Sequence, residues 1–86
     1  MDHSPLTGRQ IAAARALVGL SQAEVSTRAN ISVPTLKRME ASEGAAAGLA
    51  NNVAAVMRAL EEAGVEFLNH GQPGVRLRSQ QGASQA

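Results

Sequence analysis

The chain contains no cysteine, tryptophan or tyrosine, and its single aromatic residue is Phe67. Without cysteine, neither a disulfide framework nor a cysteine-based zinc site supports the fold. One aromatic residue is too few for single-stranded nucleic acid binding by base stacking. No apolar run approaches the roughly 20 residues of a membrane span, and the N-terminus lacks the basic and apolar regions of a signal peptide. These absences predict a soluble, cytoplasmic protein.

An excess of charge of one sign is also missing. Eight basic residues oppose seven acidic ones, which gives a formal net charge of +1. This balance argues against strong nonspecific DNA binding. Most of the basic residues are arginine, whose planar guanidinium suits two-point hydrogen bonds to phosphate or guanine. With 86 residues, the chain has room for one small domain with one core.

Two short helices joined by a tight turn are predicted between residues 21 and 41. Ser21 and Glu24 form a capping box at the start of the first helix. Ser32 marks the start of the second helix, where Pro34 occupies the first turn and its missing N–H is no loss. Asn30 lies between the two helices and can take the left-handed conformation that a tight turn needs. The second helix, about residues 33–41, therefore has a fixed start.

This second helix has a buried face and an outward face. Leu36 and Met39 are spaced by three, so both point to the core. Four side chains are left facing outward: Val33, Pro34, Lys37 and Arg38.

The rest of the chain predicts two more helices and a hairpin. Thr7 and Gln10 form a capping box for a helix that runs to about Val18, and helical apolar spacing predicts another from about Leu49 to Ala63. The small residues of 41–48 indicate a loop, although their alanines allow an added turn of helix. Short alternating segments at 65–68 and 75–78, separated by turn residues, predict a β-hairpin.

The fold class predicted from these elements is mainly α. A four-helix domain covers residues 7–64, with the helix pair at 21–41, and is followed by a C-terminal β-hairpin at 65–78. Residues 1–6 are expected to form a flexible leader. Residues 79–86 have no apolar side chain larger than alanine and are expected to form a disordered tail.

The segments Leu20-Ser-Gln-Ala-Glu-Val and Ala29-Asn-Ile-Ser-Val-Pro-Thr-Leu-Lys-Arg-Met-Glu40 resemble the helix-turn-helix of the Cro/CI repressor type, the lambda-repressor-like or XRE family. The match extends weakly from Thr7 to about Ala63. The C-terminal hairpin is similar to that of small bacterial regulators that carry one such domain. The resemblance implies a lambda-repressor-like fold in which the helix after the turn enters the major groove of B-DNA.

Roles for individual residues follow from the same resemblance. The residues that would face the bases are Val33, Pro34, Lys37 and Arg38. Lys37 or Arg38 would donate to guanine O6 and N7, and Val33 would meet a thymine methyl. The positions that commonly contact phosphate correspond to Gln22, Ser32 and Thr35. Arg15 and Glu40 match a family pair that forms a salt bridge between the first and third helices, so their role would be structural.

The sequence departs from the family at three places. Asn30 replaces the usual glycine of the turn, and Ser26 replaces a small alanine, which adds a hydroxyl that must find a backbone partner. The loop after the third helix carries Glu43 and alanines where many relatives have lysine, arginine or asparagine. Fewer phosphate contacts are therefore expected from this loop.

Two hypotheses for function follow. The first is a sequence-specific regulator of transcription, bacterial or phage-related, acting in the nucleoid as a repressor and as a homodimer on a two-fold operator. The fourth helix and the hairpin are the candidates to join the subunits, whereas Arg76 and Arg78 are alternatives for contacting the DNA flank. The apolar hairpin residues proposed for the interface are Phe67, Leu68, Val75 and Leu77. The second hypothesis is a protein-interaction module on the same fold, such as an antitoxin or an antiactivator.

Neither a cofactor nor a metal ion is predicted, and nothing indicates an enzyme. His3 and His70 lie far apart with no further ligand nearby in sequence. Glu61 and Glu62 have no partner acid, base or nucleophile. Ser21 and Ser32 are explained better as helix caps than as nucleophiles.

Overall fold

A computed structural model describes residues 6–69 and 72–78. In this part of the chain, four helices precede a two-stranded antiparallel sheet. The helices are α1 Gly8–Val18, α2 Gln22–Ala29, α3 Val33–Glu40 and α4 Ala50–Glu62, and the strands are β1 Val65–Leu68 and β2 Gly74–Leu77. The predicted fold class, mainly α with a short C-terminal hairpin, is confirmed. No helix in these two ranges is long and apolar enough to span a membrane.

The first three helices begin, and the first two end, at the residues that local sequence indicates. The Thr7 and Ser21 side chains each accept a hydrogen bond in a complete capping box, and Ser32 caps α3. Gly19 ends α1 with φ of 71°, and Asn30 ends α2 with φ of 60°. Both residues are in the left-handed region, which lets the chain leave a helix sharply. The helix pair predicted from these signals is confirmed.

One hydrophobic core joins all six elements. Its largest fully buried side chains are Ile11, Val25, Leu36, Met39, Val56, Leu60 and Val65. The hairpin packs on α1 and α4, and its register pairs Val65 with Leu77 and Phe67 with Val75. Because residues directly opposite each other in a sheet share a face, these four side chains lie on the side of the buried Val65. The helices thereby support a hairpin that would be marginal alone.

The structure differs from the sequence-based expectation at Leu6. We expected residues 1–6 to form a flexible leader, but the Leu6 side chain is buried in the core. Its carbonyl also accepts a hydrogen bond from the Ala46 amide at 2.9 Å. The remainder of the leader, residues 1–5, lies outside the described residues, as do His3, His70 and the tail 79–86.

Candidate DNA-binding surface

The start of α3 is fixed by two hydroxyl side chains. The Ser32 hydroxyl accepts from the Thr35 amide at 3.2 Å, and the two hydroxyl oxygens are 2.8 Å apart. Whichever hydroxyl donates in this pair, the hydrogen of the other stays available to a further acceptor. Ser32 is exposed and Thr35 half-buried. The cap therefore offers one O–H donor next to the positive end of the helix.

The outward face predicted for α3 is present. Leu36 and Met39 are fully buried, whereas Lys37 and Arg38 are exposed. Neither of these two cations has an ion-pair partner among the described residues. Pro34 is also exposed, and Val33 is half-buried. The face thus combines two exposed positive charges with a small apolar patch.

A second group of side chains connects α1, α2 and α3. Arg15 donates to both carboxylate oxygens of Glu40, from Nε at 2.7 Å and from Nη2 at 3.0 Å. Its Nη1 donates to the Leu20 carbonyl at 3.1 Å. Gln22, the first residue of α2, donates from Nε2 to Glu40 Oε1 at 3.0 Å. The predicted contact between Arg15 and Glu40 is observed, and Gln22 joins it.

The charges in this group compensate each other. The hydrogen bond with Glu40 raises the pKa of Arg15 above its ordinary value, although burial acts in the opposite direction. The Glu40 side chain is only 8% exposed, so it depends on Arg15 for compensation of its charge. The ends of α1 and α3 are therefore held together while their charges neutralise each other.

Ser26 of α2 takes part in the turn to α3 through its carbonyl, but its side chain has an unexpected environment. The Ile31 amide donates to the Ser26 carbonyl at 3.0 Å, which closes the turn behind Asn30. The Ser26 side chain is buried, but its hydroxyl has no hydrogen-bond partner among the described residues. The expectation that this hydroxyl finds a backbone partner is therefore wrong.

The loop between α3 and α4 is attached to the start of α1. The Gly8 amide donates to the Gly44 carbonyl at 3.1 Å, next to the bond from Ala46 to Leu6 and an isolated bridge between Thr7 and Ala45. A Cβ on Gly8 would lie 2.2 Å from the Met39 carbonyl oxygen. Only glycine permits this close approach. The loop is therefore held against α1, with Glu43 exposed on it.

Gln10 connects the hairpin to α1 in a way that the sequence did not indicate. Besides its capping-box bond, its Nε2 donates to the carbonyls of Leu68 and Gly74 at 3.1 and 3.0 Å. These two residues are partners across the end of the hairpin. Gln10 is 3% exposed. The sequence does place the polar Gln10 on the apolar side of α1, which could have indicated a buried contact. The capping box with Thr7 already accounted for a glutamine at this position, so the contact with the hairpin was not predicted.

The four hairpin residues proposed for a dimer interface do not form one exposed surface. Phe67 and Val75 are half-buried and pack against the core of their own chain. Leu68 is half-buried, and Leu77 is 45% exposed. On the opposite face of the sheet, Arg76 forms an exposed ion pair with Glu66. Leu77 therefore has the largest exposed fraction of these four residues.

The geometry defines a helix-turn-helix DNA-binding domain, because a capped helix with exposed cations follows a tight turn and is held on two supporting helices. Residues 11–49 match a family model described as helix-turn-helix. The match supports a DNA-binding helix-turn-helix in this segment and confirms the resemblance to regulators of the Cro/CI repressor type. No curated protein shows significant sequence similarity to the chain. Residues 6–69 and 72–78 hold no group of three or more side chains suited to bind a metal ion.

Proposed function

We propose that the protein is a sequence-specific regulator of transcription that inserts α3 into the major groove of double-stranded DNA and acts as a repressor. The observation that carries this proposal is the outward face of α3, on which Lys37 and Arg38 are exposed and have no ion-pair partner within residues 6–69 and 72–78. Repression needs only that the bound protein occupies a promoter. It therefore requires no additional surface beyond the one that binds DNA.

The contacts divide into base recognition and backbone binding. Arg38 and Lys37 donate to guanine edges in the groove, and Val33 and Pro34 supply apolar contact with thymine methyl groups. The hydroxyl pair of Ser32 and Thr35 donates to one phosphate. Gln22, at the start of α2, donates to another. Helix dipoles at both N-termini favour the phosphates.

We propose further that two copies bind as a homodimer. One short helix contacts only a few base pairs, whereas two half-sites one helical turn apart roughly double the binding energy. Large apolar side chains remain exposed at the start of α4 and on the hairpin: Leu49 is 72% exposed and Leu77 45%. Sedimentation analysis of Leu49→Ser and Leu77→Ser should show which of these elements joins the subunits.

Selection of binding sites from random double-stranded DNA tests the proposal. Wild-type protein should enrich a two-fold symmetric sequence. Arg38→Ala should lose discrimination at one base pair of each half-site, a cost of about 1–3 kcal/mol per contact, and Lys37→Ala should do so at a neighbouring position. Arg9→Ala is the matched control because it removes one exposed positive charge from α1. An Arg38→Ala protein with wild-type sequence preference would remove the proposed base contact.

A second candidate function is binding to a protein partner, as an antitoxin or an antiactivator does. The observation that favours it is an uncharged run from residue 44 to 57, most of it exposed or half-buried. Affinity for DNA falls steeply with salt when several phosphates are neutralised, whereas a partner bound through apolar surface shows little salt dependence. Titrations at several salt concentrations therefore separate the two functions.

A further inference from the structure

The carboxylate of Glu40 receives donors from two directions. Arg15 binds it from α1, and the Gln22 amide binds its Oε1 from the start of α2. Gln22 is half-buried, so part of its side chain stays open to solvent. One nearly buried group at the end of α3 thus contacts the residue proposed to bind phosphate.

The chemistry of this contact fixes the orientation of the Gln22 amide. An ionised carboxylate only accepts hydrogen bonds, so the amide must turn its NH₂ group toward Glu40. The NH₂ group has a second N–H, which is not used by Glu40. A phosphate oxygen also accepts only. The orientation that satisfies Glu40 therefore places a donor beside the place where a phosphate would bind, while the reversed amide would place its carbonyl oxygen there.

The salt bridge also removes an electrostatic obstacle. A bare carboxylate near the DNA backbone would repel phosphate. Arg15 binds both oxygens of Glu40, so the pair presents little net charge. Glu40 can therefore orient Gln22 without opposing the anion that Gln22 binds.

We propose that Glu40 is a positioning residue for DNA binding: it holds the Gln22 amide in the orientation that donates to phosphate, and Arg15 neutralises it there. This inference rests on the proposed phosphate contact of Gln22. It gives the Arg15–Glu40 pair a role in DNA affinity in addition to its role in joining α1 to α3.

A double-mutant cycle on operator affinity tests the inference. The variants are Gln22→Ala, Glu40→Gln and the double variant. The Glu40→Gln side chain keeps the size of glutamate but offers both a donor and an acceptor, so it no longer selects one orientation of the Gln22 amide. Each single variant should weaken binding by roughly threefold to tenfold per half-site, the range of one net hydrogen bond. The loss should be equal for all operator sequences, because phosphate contacts carry no base information.

The double variant separates positioning from a purely structural role. Glu40→Gln also leaves the Arg15 charge uncompensated, and this effect acts in both backgrounds. If Glu40 acts through Gln22, the loss that Glu40→Gln causes in the wild-type background should therefore be absent from the Gln22→Ala background. Val56→Ala is the control for stability, since Val56 is a buried core residue of α4 and has no proposed role in DNA binding. It should weaken the core and leave the affinity of the folded protein unchanged. Affinities are corrected for the folded fraction measured by circular dichroism.

Nuclear magnetic resonance of the wild-type Gln22 side chain gives a second measurement that needs no Glu40 variant. One Nε2 proton should exchange slowly because it is bound to Glu40, and the other should shift when DNA is added. Unprotected protons, or equal shifts of both, would overturn the positioning role.

Different results would refute the positioning role of Glu40 and the phosphate contact of Gln22 on which it rests. Gln22→Ala with wild-type affinity would remove the phosphate contact itself. If Gln22→Ala weakens binding but Glu40→Gln does not, only the positioning role fails. A Glu40→Gln loss that persists in full in the Gln22→Ala background would also refute it, since Glu40 would then act by another route.

Discussion

The Ser26 hydroxyl gives a direct test of how α2 packs, because it is buried and has no partner among the described residues. The perturbation is Ser26→Ala, which removes the oxygen and leaves the Cβ in place. The control is Thr27→Ala, at the next residue of α2, where the hydroxyl side chain is exposed. Comparison of the two variants separates the effect of a buried hydroxyl from that of helix propensity.

The magnitude follows from two contributions. A buried polar group without a hydrogen bond costs about 1–3 kcal/mol, and Ser26→Ala removes this cost. The substitution also loses the weak dispersion attraction between the oxygen and its neighbours, which makes the gain smaller. Alanine also gains about 0.5 kcal/mol of helix propensity. We therefore expect Ser26→Ala to raise the free energy of unfolding by about 1–2 kcal/mol. In a domain of this size that corresponds to roughly 5–15 °C in Tm. Thr27→Ala should gain only about the propensity difference.

Urea unfolding followed by circular dichroism measures both variants, since the chain has neither tryptophan nor tyrosine for fluorescence. The dependence of the unfolding free energy on urea should be unchanged, which shows that only stability differs. The reasoning is refuted if Ser26→Ala is less stable than wild type, or gains no more than Thr27→Ala. The hydroxyl would then donate within the helix, to the carbonyl of Gln22 one turn earlier.

Three further predictions concern other parts of the fold. Gly8→Ala should lower the free energy of unfolding in urea by at least about 2 kcal/mol, because the added Cβ would overlap the Met39 carbonyl. The control Gly44→Ala, which has open space around its Cβ, should stay within about 1 kcal/mol of wild type. Equal effects of the two substitutions would contradict the close approach of Gly8 to Met39. Hydrogen bonds with Ser21 lower the pKa of Glu24, so its stabilisation of α2 is present at neutral pH and is lost as the pH falls through that lowered pKa. A carbon-detected titration should therefore give Glu24 a midpoint below that of a glutamate in an unstructured peptide, and a midpoint at or above it would exclude the capping bond. Gln10→Ala should speed amide exchange in the hairpin more than in α3; uniform acceleration would show a global loss of stability instead.

Local signals were sufficient to predict the helices. Each of the first three helices is preceded by a threonine or serine whose hydroxyl accepts a hydrogen bond from the amide three residues later. Such a signal lies within one helical turn, so it can be recognised in the sequence. The outward face of α3 followed from the spacing of Leu36 and Met39. The resemblance to known regulators supplied the pairing of Arg15 with Glu40, which local spacing does not contain.

Contacts between distant residues could not be predicted in the same way. Gln10 reaches carbonyls 58 and 64 residues away, and no periodicity connects a helix side chain to a backbone oxygen at that separation. The polar neighbours of Leu6 favour a leader, yet the loop at residues 44–46 pairs with this end of the chain. The sharing of Glu40 between Arg15 and Gln22 likewise depends on how three helices cross.

The attachment of Leu6 and Gln10 to later parts of the chain has a practical consequence for anyone who would move α3 into another protein. The segment matched by the family model, residues 11–49, omits Leu6, Gln10 and the core side chains of α4 and the hairpin. A graft cut at those limits would expose Ile11 and Val25 to water, because α1 and α2 would lose the hairpin and α4 that pack on them. It would also release the loop after α3, which is held by residues 6–8. The smallest transferable unit is therefore residues 6–78, and altered specificity is better engineered by changing outward side chains within this unit than by exchanging the matched segment.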